Sequence, residues 1–182
     1  MDHTLAVLVE DKPGVLNRVA SLFRRRQFNI ESLTVGHTDQ PGISRMTIVT
    51  ECSDIETERL IAYLYKLVNV LQVNDLTNVA NVTRDLAVIK VNASIENRTH
   101  IMQIVDVFRA RIVDVTNSSF IIEITGDEEK IEGFIENLRP FGIIEMGRTG
   151  IVAMARGSMS QTASSISGNG NGVKHPLPAQ MN

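Results

Sequence analysis

Thr4-Leu5-Ala6-Val7-Leu8-Val9-Glu10-Asp11-Lys12-Pro13-Gly14-Val15-Leu16 reads as a strand, a break and the opening of a helix. Residues 4–10 form an apolar, β-rich run, and Asp11-Lys12-Pro13-Gly14 interrupts it with two residues that strand interiors tolerate poorly. Beyond the break Val15, Leu16, Val19, Leu22 and Phe23 recur at helical spacing. Arg24, Arg25 and Arg26 close that helix with the charge sign that suits a helix C-terminus. The strand is apolar on both sides, with Leu5, Val7 and Val9 on one and Ala6 and Leu8 on the other. Both faces of its sheet therefore need cover, one from helices and the other from a second module or subunit.

Outward from this stretch, residues 30–36 and 43–50 read as two strands joined by a turn at Asp39-Gln40-Pro41-Gly42. Ser53 and Glu56 fit a capping box opening a second helix, whose apolar face is Leu60, Ile61, Leu64, Leu67 and Val68. Residues 70–76 make a fourth strand. The order β-α-β-β-α-β then repeats. A strand over 86–91 precedes a helix with Ile101, Ile104, Val105 and Phe108 on one face. Strands over 112–115 and 120–124 follow. Thr125-Gly126-Asp127 starts a helix whose inner face is Ile131, Phe134, Ile135 and Leu138, and 143–146 and 150–155 end the pattern. The triplet Leu5-Ala6-Val7 recurs as Leu86-Ala87-Val88, and the shared element order is the stronger sign of an internal repeat. The predicted class is α+β: two ferredoxin-like βαββαβ modules over 1–78 and 86–157, with a linker over 79–85. From 158 to 182 the chain is rich in Ser, Gly, Asn and Gln, a composition expected to be disordered.

Composition narrows the function. The 182 residues are 43% hydrophobic but only 4% aromatic, so Leu, Ile and Val must build the cores. Modules this small bury little surface, which favours association. A net charge of -3 argues against capture of nucleic acid or an anionic membrane. The single cysteine, Cys52, excludes an internal disulfide and reads as a structural thiol. No basic leader and no apolar stretch of bilayer length are present, so a cytoplasmic protein is expected.

The break between the first strand and helix concentrates the chemical possibilities. First-turn amides of a helix lack intrahelical acceptors and suit an anion such as an amino acid's carboxylate. Gly14 leaves the approach open, Asp11 offers acceptors for an ammonium, Val15 and Leu16 offer aliphatic contact, and Asn29 both donates and accepts. The same residues also fit an ordinary turn in which Asp11 caps the helix and Gly14 serves the bend.

Several longer stretches carry a family resemblance: LVEDKPGVLNRVASLFRRRQFNIESLTVG, SRMTIVT, YKLVNVLQV, FRARIVDVT and GRTGIVAMARG. Together they resemble the small regulatory subunits of acetolactate synthase (acetohydroxyacid synthase), and NIESLTVG followed by SRMTI is the most specific part. The D-x-P-G loop alone would indicate only an ACT domain, the wider class of amino-acid-sensing modules. The resemblance implies a non-catalytic subunit that activates a large catalytic subunit and confers feedback inhibition by valine in branched-chain amino acid biosynthesis. Thiamine diphosphate, Mg²⁺ and FAD would belong to the large subunit, and no cofactor to this chain. It implies a homodimer through the first modules, with valine at the interface between Asp11, Gly14, Val15 and Leu16 and, on the opposing edge, Asn29 and Ile30. Family members commonly carry Asn where this chain has Asp11. Glu31, Ser32, Thr34 and Arg45, polar residues of the family-specific strands, are expected to contact the large subunit.

Other functions find less support. His3, His37, His100 and His175 are scattered without metal-ligand spacing, and no P-loop, G-x-S-x-G or H-E-x-x-H motif occurs. RNA-recognition modules of this element order stack bases on aromatic residues, where this chain has Val7, Val9, Thr47 and Val49. The alternative is a stand-alone ACT-type amino-acid sensor acting on another target.

Overall fold

The computed structural model describes residues 1–157; the tail of 158–182 lies outside them. The elements are β1 (Asp2–Glu10), α1 (Val15–Arg26), β2 (Ser32–His37), β3 (Ile43–Glu51), α2 (Asp54–Leu64) and β4 (Val70–Asp75). There follow β5 (Asn81–Asn92), α3 (Arg98–Phe108), β6 (Arg111–Val115), β7 (Ser119–Gly126), α4 (Glu128–Leu138), β8 (Ile143–Arg148) and β9 (Val152–Ala155).

Each half is a βαββαβ module with an antiparallel sheet, ordered β2-β3-β1-β4 in the first and β6-β7-β5-β8 in the second. The central β1 pairs with β3 along its whole length, from Asp2 opposite Glu51 to Glu10 opposite Ile43. Because side chains alternate across a strand, Leu5, Val7 and Val9 meet Val15, Val19, Leu22 and Phe23 of α1 and Leu60 and Leu64 of α2 in one core. Ile89, Val91, Ile101, Val105, Ile131, Phe134 and Leu138 build the second core the same way. The helices use different devices at their starts. Ser53 accepts from the Glu56 amide while the Glu56 carboxylate accepts from the Ser53 amide, completing the predicted capping box of α2. Asp127 caps α4 through the Lys130 amide.

The opposite face of the first sheet is covered from within the chain. β5 is long enough to reach beyond its own module's sheet: residues 85–92 pair with β7 and 87–91 with β8, whereas 81–84 pair with β9. The β5–β9 ribbon lies on the first module, so Ala6, Leu76 and Ala153 form a third apolar cluster flanked by Ile151 and Ala155. Ala6, Thr47 and Val49 are buried there.

Two expectations change. The predicted linker 79–85 is drawn into β5 from Asn81 onward, because β9 supplies a ladder partner that local composition does not announce. α2 ends at Leu64, so Val68 leaves the predicted apolar face and is 81% exposed. Among the described residues no helix is long and apolar enough to cross a membrane.

Candidate functional site

The predicted effector loop connects the end of β1 to α1, and its base is fixed by Asn69. The Asn69 side-chain amide donates to Glu10 Oε2 at 2.6 Å and its carbonyl oxygen accepts from Arg18 Nη1 at 2.5 Å. Lys12 Nζ stands 3.1 Å from the same Glu10 oxygen. The hydrogen bond from Asn69, then that from Lys12, holds the Glu10 carboxyl below its ordinary value. The Asp11 amide donates to the Gly42 carbonyl at 2.8 Å, tying the loop to the β2–β3 turn.

Gly14 is the N-cap of α1 at φ 85°, ψ −5°, a left-handed conformation that glycine adopts without a Cβ penalty. A Cβ built there would meet nothing within 4 Å, so the space before the helix is open. No side chain caps α1, and its first turn holds no acidic residue. Asp11 therefore does not cap the helix, as the ordinary-turn use of these residues would require. Its Oδ2 instead lies 3.2 Å from Nδ1 of His37, at the end of β2. Sequence spacing gave His37 no role; the antiparallel register that sets His37 opposite Ser44 brings it to this corner.

The other predicted residues divide by position. Val15 is buried in the first core, whereas the next residue, Leu16, is 44% exposed beside the loop. Asn29 is exposed and donates to Glu31, while its carbonyl accepts from Thr50 Oγ1 at 2.5 Å. Ile30 is half-buried against the core. β2 begins with Ser32 opposite Val49 and ends with His37 opposite Ser44. Asn29 and Ile30 thus stand at one end of β2 and the Asp11–His37 corner at the other, separated by about 17 Å of strand. A single chain does not assemble the six predicted effector residues into one site.

Ser32, Thr34 and Arg45 face the second module. The Ile151 amide donates to Ser32 Oγ at 3.1 Å, Thr34 Oγ1 donates to the Thr149 carbonyl at 3.3 Å, and Arg45 Nη2 donates to the Ala153 carbonyl at 2.7 Å. Burial at that contact holds the Arg45 guanidinium below its ordinary pKa. Contact between modules is thus sufficient reason for three of the four polar identities. Glu31 alone stays exposed, lining an acidic cleft with Asp2, Glu51 and Glu128.

Other chemistry is sparse. His3 is buried between Asp54 and Asp75, 3.3 and 3.7 Å away, and joins β1 to α2 and β4. Buried Cys52 has its Sγ 3.0 Å from Thr57 Oγ1. No group of three or more His, Cys, Asp or Glu among the described residues could hold a metal ion.

Comparison with known proteins agrees with this architecture. Residues 5–72 match a family described as the AHAS small subunit-like ACT domain, and residues 84–157 match the small subunit of acetolactate synthase. A probable acetolactate synthase small subunit of Archaeoglobus fulgidus is 55% identical over 87% of this chain and 99% of its own length. The acetolactate synthase small subunit of Mycolicibacterium smegmatis is 49% identical over 85% of this chain and 91% of its own length. The crystal structure of the acetolactate synthase small subunit from Thermotoga maritima superimposes with a TM-score of 0.81 at 43% identity, covering 86% of this chain and 98% of that one.

Proposed function

Because this chain belongs to the acetolactate synthase small-subunit family, we propose that it is a non-catalytic regulatory subunit that binds and activates the thiamine-diphosphate-dependent large subunit and makes it sensitive to valine. The observation that carries the effector site is the placement of its two halves at opposite ends of the edge strand β2. Pairing of β2 with β2 of a second copy, antiparallel about a two-fold axis, sets Asn29 and Ile30 of one chain beside Asp11, Gly14 and Leu16 of the other. The edge is free to pair, with Val35, Gly36 and His37 exposed. Homodimerisation therefore completes two equivalent sites.

The Val15 amide donates to the Lys12 carbonyl, and at each site the following first-turn amides, which no side chain caps, suit the carboxylate of valine, with the conformation of Gly14 leaving room for it. Asp11 accepts from the ammonium, and Asn29 across the interface supplies a further polar partner. Leu16 provides aliphatic contact, with Ile30 behind it. Val15 supports the site from the core and does not touch the ligand. Glu31, exposed beside Asn29, remains our candidate for contact with the large subunit. Regulation follows from linkage: valine favours one arrangement of the paired modules, and the large subunit has a different affinity for each. Thiamine diphosphate, Mg²⁺ and FAD serve the large subunit.

Reconstitution tests this function. The large subunit is assayed with and without this chain across a valine titration, and valine binding to the chain is measured by calorimetry. Activation followed by valine inhibition is expected. Turnover by this chain alone, or an absence of heat with valine, contradicts it. Activation with no response to valine favours a different effector.

A further inference from the structure

The corner between β8 and β9 stands where the two modules meet, and its contacts run in both directions. Toward the first module it grips β2: the Ile151 amide donates to Ser32 Oγ, and Thr34 Oγ1 donates to the Thr149 carbonyl. Gly150, at φ +86°, lies so close to β2 that a Cβ would come within 2.8 Å of Ser32 Oγ and 3.0 Å of Thr34 Oγ1. Toward the second module, Thr149 Oγ1 donates to Asp85 Oδ1 at 3.1 Å and accepts from the Leu86 amide at 3.1 Å. Asp85 is the residue of β5 at which pairing changes from β9 to β7. Its buried carboxylate takes Arg148 Nη2 at 2.6 Å, and Arg148 Nη1 reaches Glu132 of α4 at 2.5 Å.

We infer that Ser32 and Thr34 on β2, with the Thr149-Gly150-Ile151 corner they hold, form the joint through which the second module reads the state of the effector edge. The inference rests on the sensor function proposed above and specifies how its signal leaves the first module. β2 is the strand that the second copy and valine would engage. A shift of β2 by a few tenths of an ångström lengthens bonds whose useful range is narrow. The corner can follow β2 closely, because Gly150 leaves less than a β-carbon's room between itself and both hydroxyls. Motion at Thr149 is passed to Asp85 and, through Arg148, to α4. Ser32 and Thr34 are positioning residues here; neither needs to touch valine.

The test compares the wild type with the double variant Ser32→Ala/Thr34→Val in the holoenzyme reconstituted with the large subunit. Valine affinity is read by calorimetry, inhibition by activity, and exchange of the Ile151 amide by hydrogen–deuterium exchange. The variant is expected to bind valine within about 3-fold of the wild type yet need at least 10-fold more valine for half inhibition, within the range of typical allosteric couplings. Valine should alter exchange at Ile151 in the wild type and leave it unchanged in the variant. The single variant Thr34→Ser keeps both hydroxyls and should inhibit as the wild type does. Equal inhibition of variant and wild type overturns the joint, and so does loss of valine binding in the variant alone. A wild type that binds no valine overturns the sensor function itself, a result distinct from either.

Discussion

Arg148 directs both Nε and Nη2 onto a single oxygen, Oδ2 of Asp85, at 2.8 and 2.6 Å, and the Asp85 side chain is only 1% exposed. Burial lowers the guanidinium's pKa, but the hydrogen bonds it donates to Asp85 and Glu132, with their negative charge, outweigh that and hold the group above its ordinary value. Arg148→Met leaves the Asp85 carboxylate buried without its cation. A loss of about 3–5 kcal/mol is expected in urea unfolding. The double variant Asp85→Asn/Arg148→Met should recover part of that loss, since no charge is then stranded. A single variant as stable as the wild type would contradict this account.

Gly14→Asp places a β-carbon where the backbone is left-handed and a carboxylate before uncapped helix amides. No neighbour blocks the side chain. The backbone change costs about 1–2 kcal/mol, while the new carboxylate competes for the amides proposed to receive valine. Valine inhibition of the reconstituted enzyme should disappear, with activation largely kept. An equal loss of both would show that the loop serves only the fold.

The capping box makes the first module sensitive to acid. Hydrogen bonds from the Ser53 amide, then from its side chain, hold the Glu56 carboxyl below its ordinary value, and Asn69 does the same for Glu10. A depressed folded-state pKa adds stability that is fully present above the unfolded value, near 4.5 for both groups, and lost as pH falls through the lower folded value. Thermal unfolding should therefore show stability falling as pH drops below about 4.5. Ser53→Ala should lower stability at neutral pH by about 1 kcal/mol and flatten the acid slope. Because the residue-53 amide still donates to Glu56 in that variant, Glu56→Ala removes the rest, and an unchanged slope there would exclude the box as its source.

A fragment of residues 1–78 should be a poor stand-in for the first module. It lacks Ile151, Ala153 and Ala155, so the sheet face around Ala6, Thr47 and Val49 opens to water. Enhanced binding of a hydrophobic dye and self-association beyond a dimer are expected in light scattering. A clean dimer that binds no dye would show that the face tolerates exposure.

The sequence made the modules legible because both signals are local. Leu5, Val7 and Val9 alternate at strand period, Val15, Val19 and Leu22 recur at helix period, and Ser53 with Glu56 marks a helix start. The two apolar sides of β1 also foretold that a second layer would cover Ala6. The identity of that layer was hidden, because β5 joins β9 through residues far apart in the chain, and Asn81-Val82-Thr83-Arg84 lacks the apolar density of a core strand. The roles of Ser32 and Thr34 were hidden for the same reason. Their hydroxyls meet backbone groups at Thr149 and Ile151, and backbone partners leave no signature in side-chain identity. A hint lay in GRTGIVAMARG, whose Gly150 is required by the close approach of β2.

Ala6 and Ala153 share one small cluster although almost the whole described chain separates them in sequence. On a ribosome the N-terminal portion emerges first, so the β1–β3–β4 layer is complete long before Ala153 leaves the exit tunnel. Until then its bare surface is available to any neighbour, including a nascent sister chain or a chaperone. Such distant pairing also slows closure. Maturation of this protein thus has an intrinsic final step, the arrival of a four-residue strand, and the yield of correctly assembled subunits should depend on how well that late strand outcompetes intruders.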